Sequence, residues 1–417
     1  MHSLAILNAS QILTLAGPAR PRFGWEMREL GIIEKGALLV EDGRIAQIGP
    51  PDEISKGFKK ETEMVDAGGR AVLPGFVDAH THAVFAGNRI DEFEQRLSGS
   101  SYQEIAAAGG GIKRTVALTR DASEAELLKQ AKKHANWFLS CGTTTVEAKS
   151  GYGLSLESEL KILRTIKRLG EETPLKCVPT FLGAHAFPKE FTDDHDGYVL
   201  EIIESMLPAV AEQNLAEFCD VFCEHGYFGY EQSREVLNRA RALGLGLRIH
   251  ADQLSNNGGA SLAAETGAIT ADHLEKVDDV GIAALLAGRV QPVVLPGSVY
   301  ALGWNKYPPA KEMIDAGLAL VLATDFNPGS SPTPSMPMIL SLACTQMQLL
   351  PAEAVSAATI NAAYSLKRGH EIGSLEPGKA ADFTIFDCED YREIPYYFGL
   401  PKVWKTFVNG KVAFDCA

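Results

Sequence analysis

Short apolar runs, each followed by a helical pattern, fill the middle of the chain. Amphipathic patterns such as 124–141 and 230–243 alternate with apolar segments of strand length. Near-continuous apolar strands linked by helices are typical of a parallel sheet that is covered on its outside. The predicted strands are 71–80, 142–148, 176–183, 217–224, 245–250, 268–272, 290–295 and 318–324. This succession of β/α repeats predicts an α/β fold, a (β/α)8 TIM-type barrel.

Both ends of the chain instead alternate short β-type runs with turns. Asp42-Gly43 near the start and Asn409-Gly410 near the end are hairpin signals. Neither end alone has enough strands to bury an apolar face, so the two ends are expected to assemble together. We therefore predict a small β-sandwich domain built from both chain termini, 1–70 plus 371–417, and a hydrolase barrel at 71–370.

Composition and charge exclude several classes of protein. Hydrophobic residues make up 46% of the chain, too many for a disordered protein, and no run of about 20 apolar residues predicts a membrane span. With 39 Lys and Arg against 53 Asp and Glu, the net charge of -14 argues against nucleic-acid binding. The seven Cys form no paired metal-ligand pattern and the amino terminus has no basic leader, so we predict a reduced, cytoplasmic protein.

Polar residues that bind metals occur where one predicted strand after another ends. His80 and His82 lie two positions apart on an extended strand, so their imidazoles point the same way and can share one metal. His250 closes the fifth strand, His273 follows the sixth, and Asp325 closes the eighth. A doubly wound sheet fits the alternation of elements too, but only a barrel brings all these strand ends to one face. The sequence therefore predicts four imidazoles and one carboxylate at a single rim.

The segments at these strand ends resemble the amidohydrolase superfamily. The resemblance is carried by FVDAHTH at 76–82, the single His250, ATD at 323–325 and IGSLEPGKAADF at 372–383. The chain is also similar, within that superfamily, to the imidazolonepropionase family. That similarity lies in EAKSGYGL at 147–154, FLGAHAFP at 181–188, HADQLSNNGGA at 250–260, ADHLE at 271–275 and ATDFNPGSSP at 323–332. The resemblance covers nearly the whole chain. It implies a metal-dependent hydrolase that opens the imidazolone ring of 4-imidazolone-5-propanoate, giving N-formimidoyl-L-glutamate in L-histidine degradation.

A metal site with one Zn or Fe ion per subunit follows from the same resemblance. The implied ligands are His80, His82, His250 and Asp325. Two-metal members of the superfamily carry a carboxylated Lys at the end of the fourth strand, but here that strand ends in 222–225 without a Lys. Lys149 is the nearest residue for a bridging role, although a solvated or Glu-paired Lys is the favoured interpretation. Imidazole and carboxylate ligands suit both metals, so the ligand types do not choose between them.

Two of the rim residues are expected to carry the proton transfers. A metal lowers the pKa of water, which supplies a nucleophile at neutral pH. Asp325 can accept the proton of that water and later pass it to the leaving ring nitrogen. His273 can donate a hydrogen bond to the oxyanion that develops on the ring carbonyl. We therefore predict Asp325 and His273 as the catalytic residues.

The remaining predicted site residues bind a small-molecule substrate that carries a carboxylate. Arg89, in the loop after the first strand, can hold that carboxylate through two parallel hydrogen bonds. Gln253 stands where deaminase relatives, and some imidazolonepropionases, carry a Glu; because Gln cannot transfer a proton at pH 7, it is assigned to binding. The other predicted substrate-binding residues are Tyr102, Tyr152, His185, Asn327, Gly329 and Ser330.

Two other kinds of function fit the same sequence pattern. A deaminase or another cyclic amidohydrolase could use this barrel, but Arg89 and Gln253 favour the imidazolone substrate. A non-enzymatic scaffold relative is the second alternative, and such proteins lose the metal ligands that this chain keeps. A homodimer is ordinary for the family.

Overall fold

The computed structural model describes residues 2–100, 104–105 and 109–416. Its strands form a four-stranded sheet, a six-stranded sheet and an eight-stranded sheet. The four-stranded sheet contains strands from the amino-terminal end of the chain, the six-stranded sheet combines strands from both ends, and the eight-stranded sheet contains the strands of the middle.

The two smaller sheets make up the β domain. Their strands are β1 Ser3–Leu7, β2 Gln11–Leu13, β3 Ile32–Glu34, β4 Ala37–Glu41, β5 Arg44–Gly49, β6 Glu63–Asp66, β7 Ala71–Pro74, β16 Phe383–Phe386, β17 Val403–Val408 and β18 Lys411–Asp415. The strand orders are β5-β4-β1-β6 and β18-β17-β16-β7-β2-β3. The antiparallel pairing of β7 with β16 joins the two chain ends in one sheet. Phe383 and Phe407 stack with 4.5 Å between ring centroids in a shared apolar core.

The eight-stranded sheet is the predicted barrel. Its strands are β8 Phe76–Thr81, β9 Thr143–Lys149, β10 Lys176–Ala184, β11 Phe218–Cys223, β12 Gly246–Ala251, β13 Thr270–His273, β14 Gln291–Val294 and β15 Val321–Leu322. Each pairs in parallel with the next along the chain. Thr81 and Phe326 form a parallel bridge that joins the last strand region to the first. The predicted fold class, a barrel with a β domain from both termini, is therefore confirmed.

Helices follow most barrel strands and cover the outside of the sheet. The α-helices are Pro51–Ile54, Ile90–Leu97, Ile112–Asp121, Glu124–Ser140, Leu156–Glu172, His195–Glu201, Leu207–Glu212, Tyr230–Ala242, Gly259–Thr266, Asp279–Gly288, Pro296–Ala301, Ala310–Asp315, Met336–Gln346, Pro351–Ala357, Ile360–Ser365 and Glu393–Tyr396. Short 3-10 helices span Gly24–Arg28, Ser55–Gly57 and Lys189–Phe191, and a π-helix spans Ile202–Met206. Among the described ranges, none of the helices has the length and apolar character needed to cross a membrane.

The first predicted strand, 71–80, is wrong as a single element. The chain passes from the β domain into the barrel at Gly75, so that β7 belongs to the six-stranded sheet and β8 to the barrel. A Cβ at Gly75 would lie 2.3 Å from the side chain of Thr144, so the close approach of the two segments requires glycine. A continuous apolar run therefore crosses two sheets, which an apolar pattern alone does not reveal.

Candidate active site

The five predicted rim residues lie together at the carboxyl-terminal ends of the barrel strands. The His80 ring centroid is 5.7 Å from that of His82, 4.5 Å from that of His250 and 5.5 Å from that of His273. The Asp325 carboxylate completes the group, and all five side chains are buried. A parallel barrel brings these residues together because every strand ends on the same face.

The backbone at Asp325 is held in a strained conformation. Its φ of +52° lies in the left-handed region, which residues with a Cβ seldom adopt. Two contacts with the first barrel strand fix this bend: the Asp325 N–H donates to His80 O at 3.0 Å, and the Thr324 hydroxyl donates to the Asp78 carboxylate. Together they turn the Asp325 side chain toward the imidazoles.

The geometry of this group fits a metal ion. Asp325 Oδ1 lies 3.6 Å from His80 Nε2 and 3.7 Å from His82 Nε2. Ligands bound at about 2.1 Å around a tetrahedral ion lie about 3.4 Å apart, close to these separations. His80 Nε2 is buried without a hydrogen-bond partner, and ligand atoms of His80, His82 and His250 lie within 4.8 Å of one another. His80, His273 and Asp325 form a second such group.

Carboxylates behind two of the imidazoles orient them toward this position. His80 Nδ1 lies 2.6 Å from Asp272 Oδ2, and His250 Nδ1 lies 3.1 Å from Asp220 Oδ2. A carboxylate at one ring nitrogen leaves the lone pair of the other nitrogen free for an ion. Burial also lowers the pKa of His80 and of His82 well below its usual value, which favours the neutral imidazole that binds metals.

Asp325 and His273 have perturbed pKa values. Burial raises the pKa of Asp325 to about 6, and a bound cation acts in the opposite direction. Burial lowers the pKa of His273, but the carboxylates of Glu275, 3.4 Å from Nδ1, and of Asp325 and Asp272 together outweigh it, and the net pKa is raised. A raised pKa favours a His273 that can donate a hydrogen bond to a developing negative charge.

Arg89 presents a buried guanidinium to the cavity beside these residues. Its side chain is buried, its Nε donates to Thr115 Oγ1 at 2.9 Å, and in the described part of the chain it forms no ion pair. The lack of a Cβ at Gly329 makes room for it, because a Cβ there would lie 2.2 Å from Arg89 Nη1. A buried cation with free hydrogen-bond donors can receive a carboxylate.

Tyr152 and His185 form one wall of the cavity. The His185 ring stacks on His82 with 5.1 Å between centroids, and Tyr152 lies 5.4 Å from both rings. The loop that carries Tyr152 is fixed by the buried carboxylate of Glu159, which accepts hydrogen bonds from the N–H groups of residues 151, 153 and 154. This role is not apparent from the sequence, where Glu159 has the appearance of an ordinary surface position in a helix.

The loop after the eighth strand places three predicted residues at the rim. Asn327 Oδ1 accepts the N–H groups of Gly329 and Ser330 at 2.8 Å each. The Ser330 hydroxyl donates to Asp325 Oδ2 at 3.4 Å. Asn327 and Ser330 line the cavity together with Gln253. Gly329 instead leaves the space that the Arg89 side chain occupies.

Some parts of the cavity were not predicted. Its apolar lining, which encloses the polar groups, is contributed by Ile112, Phe222, Tyr227, Leu254, Leu302 and Trp304. Phe222 lies in β11, Ile112 begins a helix and the other four lie in loops, and no sequence pattern marks any of them as cavity lining. Tyr102, the remaining predicted binding residue, lies outside the described residues.

Comparisons with known proteins find relatives over the whole length of the chain. The Amidohydrolase family model matches residues 71–413. An imidazolonepropionase of Solibacter usitatus (strain Ellin6076) is 56% identical, and the alignment covers 99% of each chain. An imidazolonepropionase of Geobacillus sp. (strain WCH70) is 50% identical over 99% of this chain and 98% of its own.

Solved structures with low sequence identity share the fold. Guanine deaminase from E. coli superposes with a TM-score of 0.74 at 16% identity and covers 100% of both chains. An adenosine deaminase from Xanthomonas campestris with bound zinc gives a TM-score of 0.70 at 18% identity, covering 99% of this chain and 93% of its own. At this level of identity the likeness concerns the fold alone.

Proposed function

The chain belongs to the imidazolonepropionase family of amidohydrolases, and from that premise we propose that it hydrolyses the imidazolone ring of 4-imidazolone-5-propanoate to N-formimidoyl-L-glutamate. The observation that carries this proposal is the position of Arg89, a buried guanidinium without an acidic partner in the described residues, in the same cavity as Asp325. A substrate with a carboxylate on one side and a cyclic amide on the other matches this cavity, because the carboxylate can pair with Arg89 while the amide lies beside Asp325.

His80, His82, His250 and Asp325 would hold one Zn or Fe ion. When bound, such an ion supplies Lewis-acid chemistry that makes water a nucleophile near neutral pH. Asp325 accepts the proton of the attacking water and returns it to the ring nitrogen as the C–N bond breaks. His273 donates to the oxygen of the attacked carbonyl, where negative charge develops.

The other side chains orient the substrate and keep bulk water out. Arg89 binds the propionate, while Tyr152, His185 and Gln253 contact the ring from the sides of the cavity. Asn327 and Ser330 supply small polar groups at the same rim. Gln253 binds without transferring a proton, which leaves the proton transfers to Asp325 and His273.

Arg89→Ala is expected to lower kcat/KM on the imidazolone substrate by about 10- to 150-fold, because a hydrogen bond to a charged group contributes about 1.5 to 3 kcal/mol. Arg89→Lys should recover only part of this loss, since an ammonium lacks the planar fork. Steady-state kinetics on an analogue with a neutral amide in place of the propionate provide the control. Equal losses on the acid and the amide would show that Arg89 supports the loop rather than the substrate.

Gly329→Ala is expected to raise KM while leaving the stability of the fold nearly unchanged. The added Cβ displaces the end of the flexible Arg89 side chain, which can move at little cost, but the guanidinium then leaves its binding position. Gly229→Ala is the matched control, because a Cβ there meets nothing closer than 3.9 Å. An unchanged KM in the first variant, measured beside the second, would mean that the position of Arg89 does not govern substrate binding.

A deaminase is the second candidate function, because solved deaminases share the fold. Gln253 and the cation at Arg89 disfavour it. Incubation with freshly prepared 4-imidazolone-5-propanoate, followed by mass analysis of the product, tests the proposal directly. We expect the addition of one water and no release of ammonia. Ammonia released from guanine or adenosine, with no loss of the imidazolone, would favour the deaminase instead.

A cytoplasmic location and a homodimer remain parts of this proposal. All seven cysteines are free thiols in the structure, which supports a reducing compartment. Size measurement in solution tests the dimer.

A further inference from the structure

Five charged side chains lie buried beneath the metal position, inside the barrel. They are Glu147, Lys149, Asp220, Arg248 and Asp272, and each side chain is 0% exposed. None of them lines the cavity. Burying charge costs free energy unless each group is paired, so this arrangement calls for a physical explanation.

Lys149 is the centre of the group. Its Nζ lies 2.8 Å from Glu147 Oε1, 2.8 Å from Asp220 Oδ2 and 3.8 Å from Asp272 Oδ2. The sequence alone indicated a solvated or Glu-paired lysine; the Glu147 contact is present, and the residue is fully buried.

The two aspartates that contact Lys149 are the carboxylates behind the imidazoles. Asp220 Oδ2 is the atom that also lies 3.1 Å from His250 Nδ1, and Asp272 Oδ2 is the atom that lies 2.6 Å from His80 Nδ1. One ammonium therefore contacts the same oxygen atoms that orient two of the proposed metal ligands.

Removal of Lys149 should disturb the Asp220 carboxylate more than the Asp272 carboxylate. Arg248 Nη2 lies 3.3 Å from Asp272 Oδ2, so Asp272 keeps a cation when Lys149 is removed. Within the described ranges, Lys149 is the one Lys or Arg that forms an ion pair with Asp220. Without it, Asp220 Oδ2, the oxygen that faces His250 Nδ1, loses its cation, and the carboxylate is held through Oδ1, which accepts the backbone N–H groups of Val221 and His250.

We propose that Lys149 is a positioning residue for the metal centre, holding the Asp220 and Asp272 carboxylates against His250 and His80 so that each imidazole keeps its other nitrogen toward the ion. This inference rests on the proposed metal-dependent function. The buried ion pairs would then keep the metal-binding imidazoles oriented as well as contribute to the stability of the fold. Mutation of the outer partners of metal-binding histidines typically costs about 10- to 100-fold in metal affinity; Lys149 acts through two such partners, so the lower end of that range is expected.

The test measures the dissociation constant for Zn²⁺ by competition with a chromophoric chelator, on full-length protein freed of metal. Lys149→Met is expected to weaken Zn²⁺ binding by about 10-fold. Lys176→Met is the matched control: Lys176 Nζ pairs with Asp382 Oδ2 at 2.6 Å, a buried carboxylate away from the metal position. That variant should lose stability and keep the affinity of the wild type.

A charge-balanced variant covers the case in which Lys149→Met does not fold. Lys149→Met combined with Glu147→Gln removes one cation and one anion and leaves both histidine-linked aspartates in place. Replacing a buried ion pair by a neutral pair is often tolerated, and the same loss of Zn²⁺ affinity is expected. A dissociation constant within about threefold of the wild-type value in either folded variant would overturn the proposal. Absence of imidazolone turnover by the wild type would instead contradict the proposed function, and the affinity comparison would still decide the role of Lys149.

Discussion

Asp325→Asn is expected to lower kcat, counted per metal-loaded subunit, by at least about 100-fold. Asn keeps the shape of the side chain but loses both its charge and its basicity. Asp325 is buried in the cavity, so bulk water cannot easily substitute for it as a proton acceptor. The loss is measured from the absorbance decay of the imidazolone, together with elemental analysis of the same sample.

Ser330→Ala is the control for this substitution. It removes a hydroxyl that lies 3.4 Å from Asp325 Oδ2 and leaves the carboxylate in place, so we expect a much smaller loss. A kcat for Asp325→Asn within about threefold of wild type at equal metal content would show that another group accepts the proton.

His82→Ala is expected to lose both the metal and the activity while keeping the fold. Bound metal should fall by more than about tenfold under conditions that saturate the wild type. His82 Nδ1 has no hydrogen-bond partner among the described residues, so the change leaves no buried partner unpaired. The unfolding temperature of the metal-free variant should therefore stay within about 4 °C of the metal-free wild type.

His185→Ala provides the comparison, because His185 stacks on His82 but does not belong to either group of candidate ligands. It should keep one metal per subunit and bind substrate less well. Full metal content in His82→Ala would remove His82 from the ligand set.

The barrel strands could be predicted from the sequence because parallel strands that are buried on both faces are apolar along their length. The predicted segment 318–324 nevertheless contains only a two-residue strand, β15. Beyond it, the chain bends so that Thr324 and Asp325 bond to Asp78 and the His80 carbonyl. Such bends depend on individual contacts with another strand, which an apolar pattern does not encode.

The rim residues could be predicted because strand ends converge, but the groups behind them could not. Asp220 is a single charge within the apolar strand β11, and Glu147 and Lys149 lie two positions apart at the end of β9; these charges are the signal that could have drawn attention to the group. Their pairing depends on the register of neighbouring strands, in which a shift of one residue turns each side chain to the other face. The same is true of Asp272 and His80, which lie 192 positions apart in the chain.

We propose that one metal ion at the His80, His82, His250 and Asp325 position is required for hydrolysis of the imidazolone ring. Stepwise addition of Zn²⁺ or Fe²⁺ to metal-stripped protein, with the rate of imidazolone loss measured at each step, tests it most directly. The rate should rise in proportion to added metal and stop rising at one equivalent per subunit. A rate that continues to rise to two equivalents, or full turnover in protein shown to contain no metal, would contradict the account.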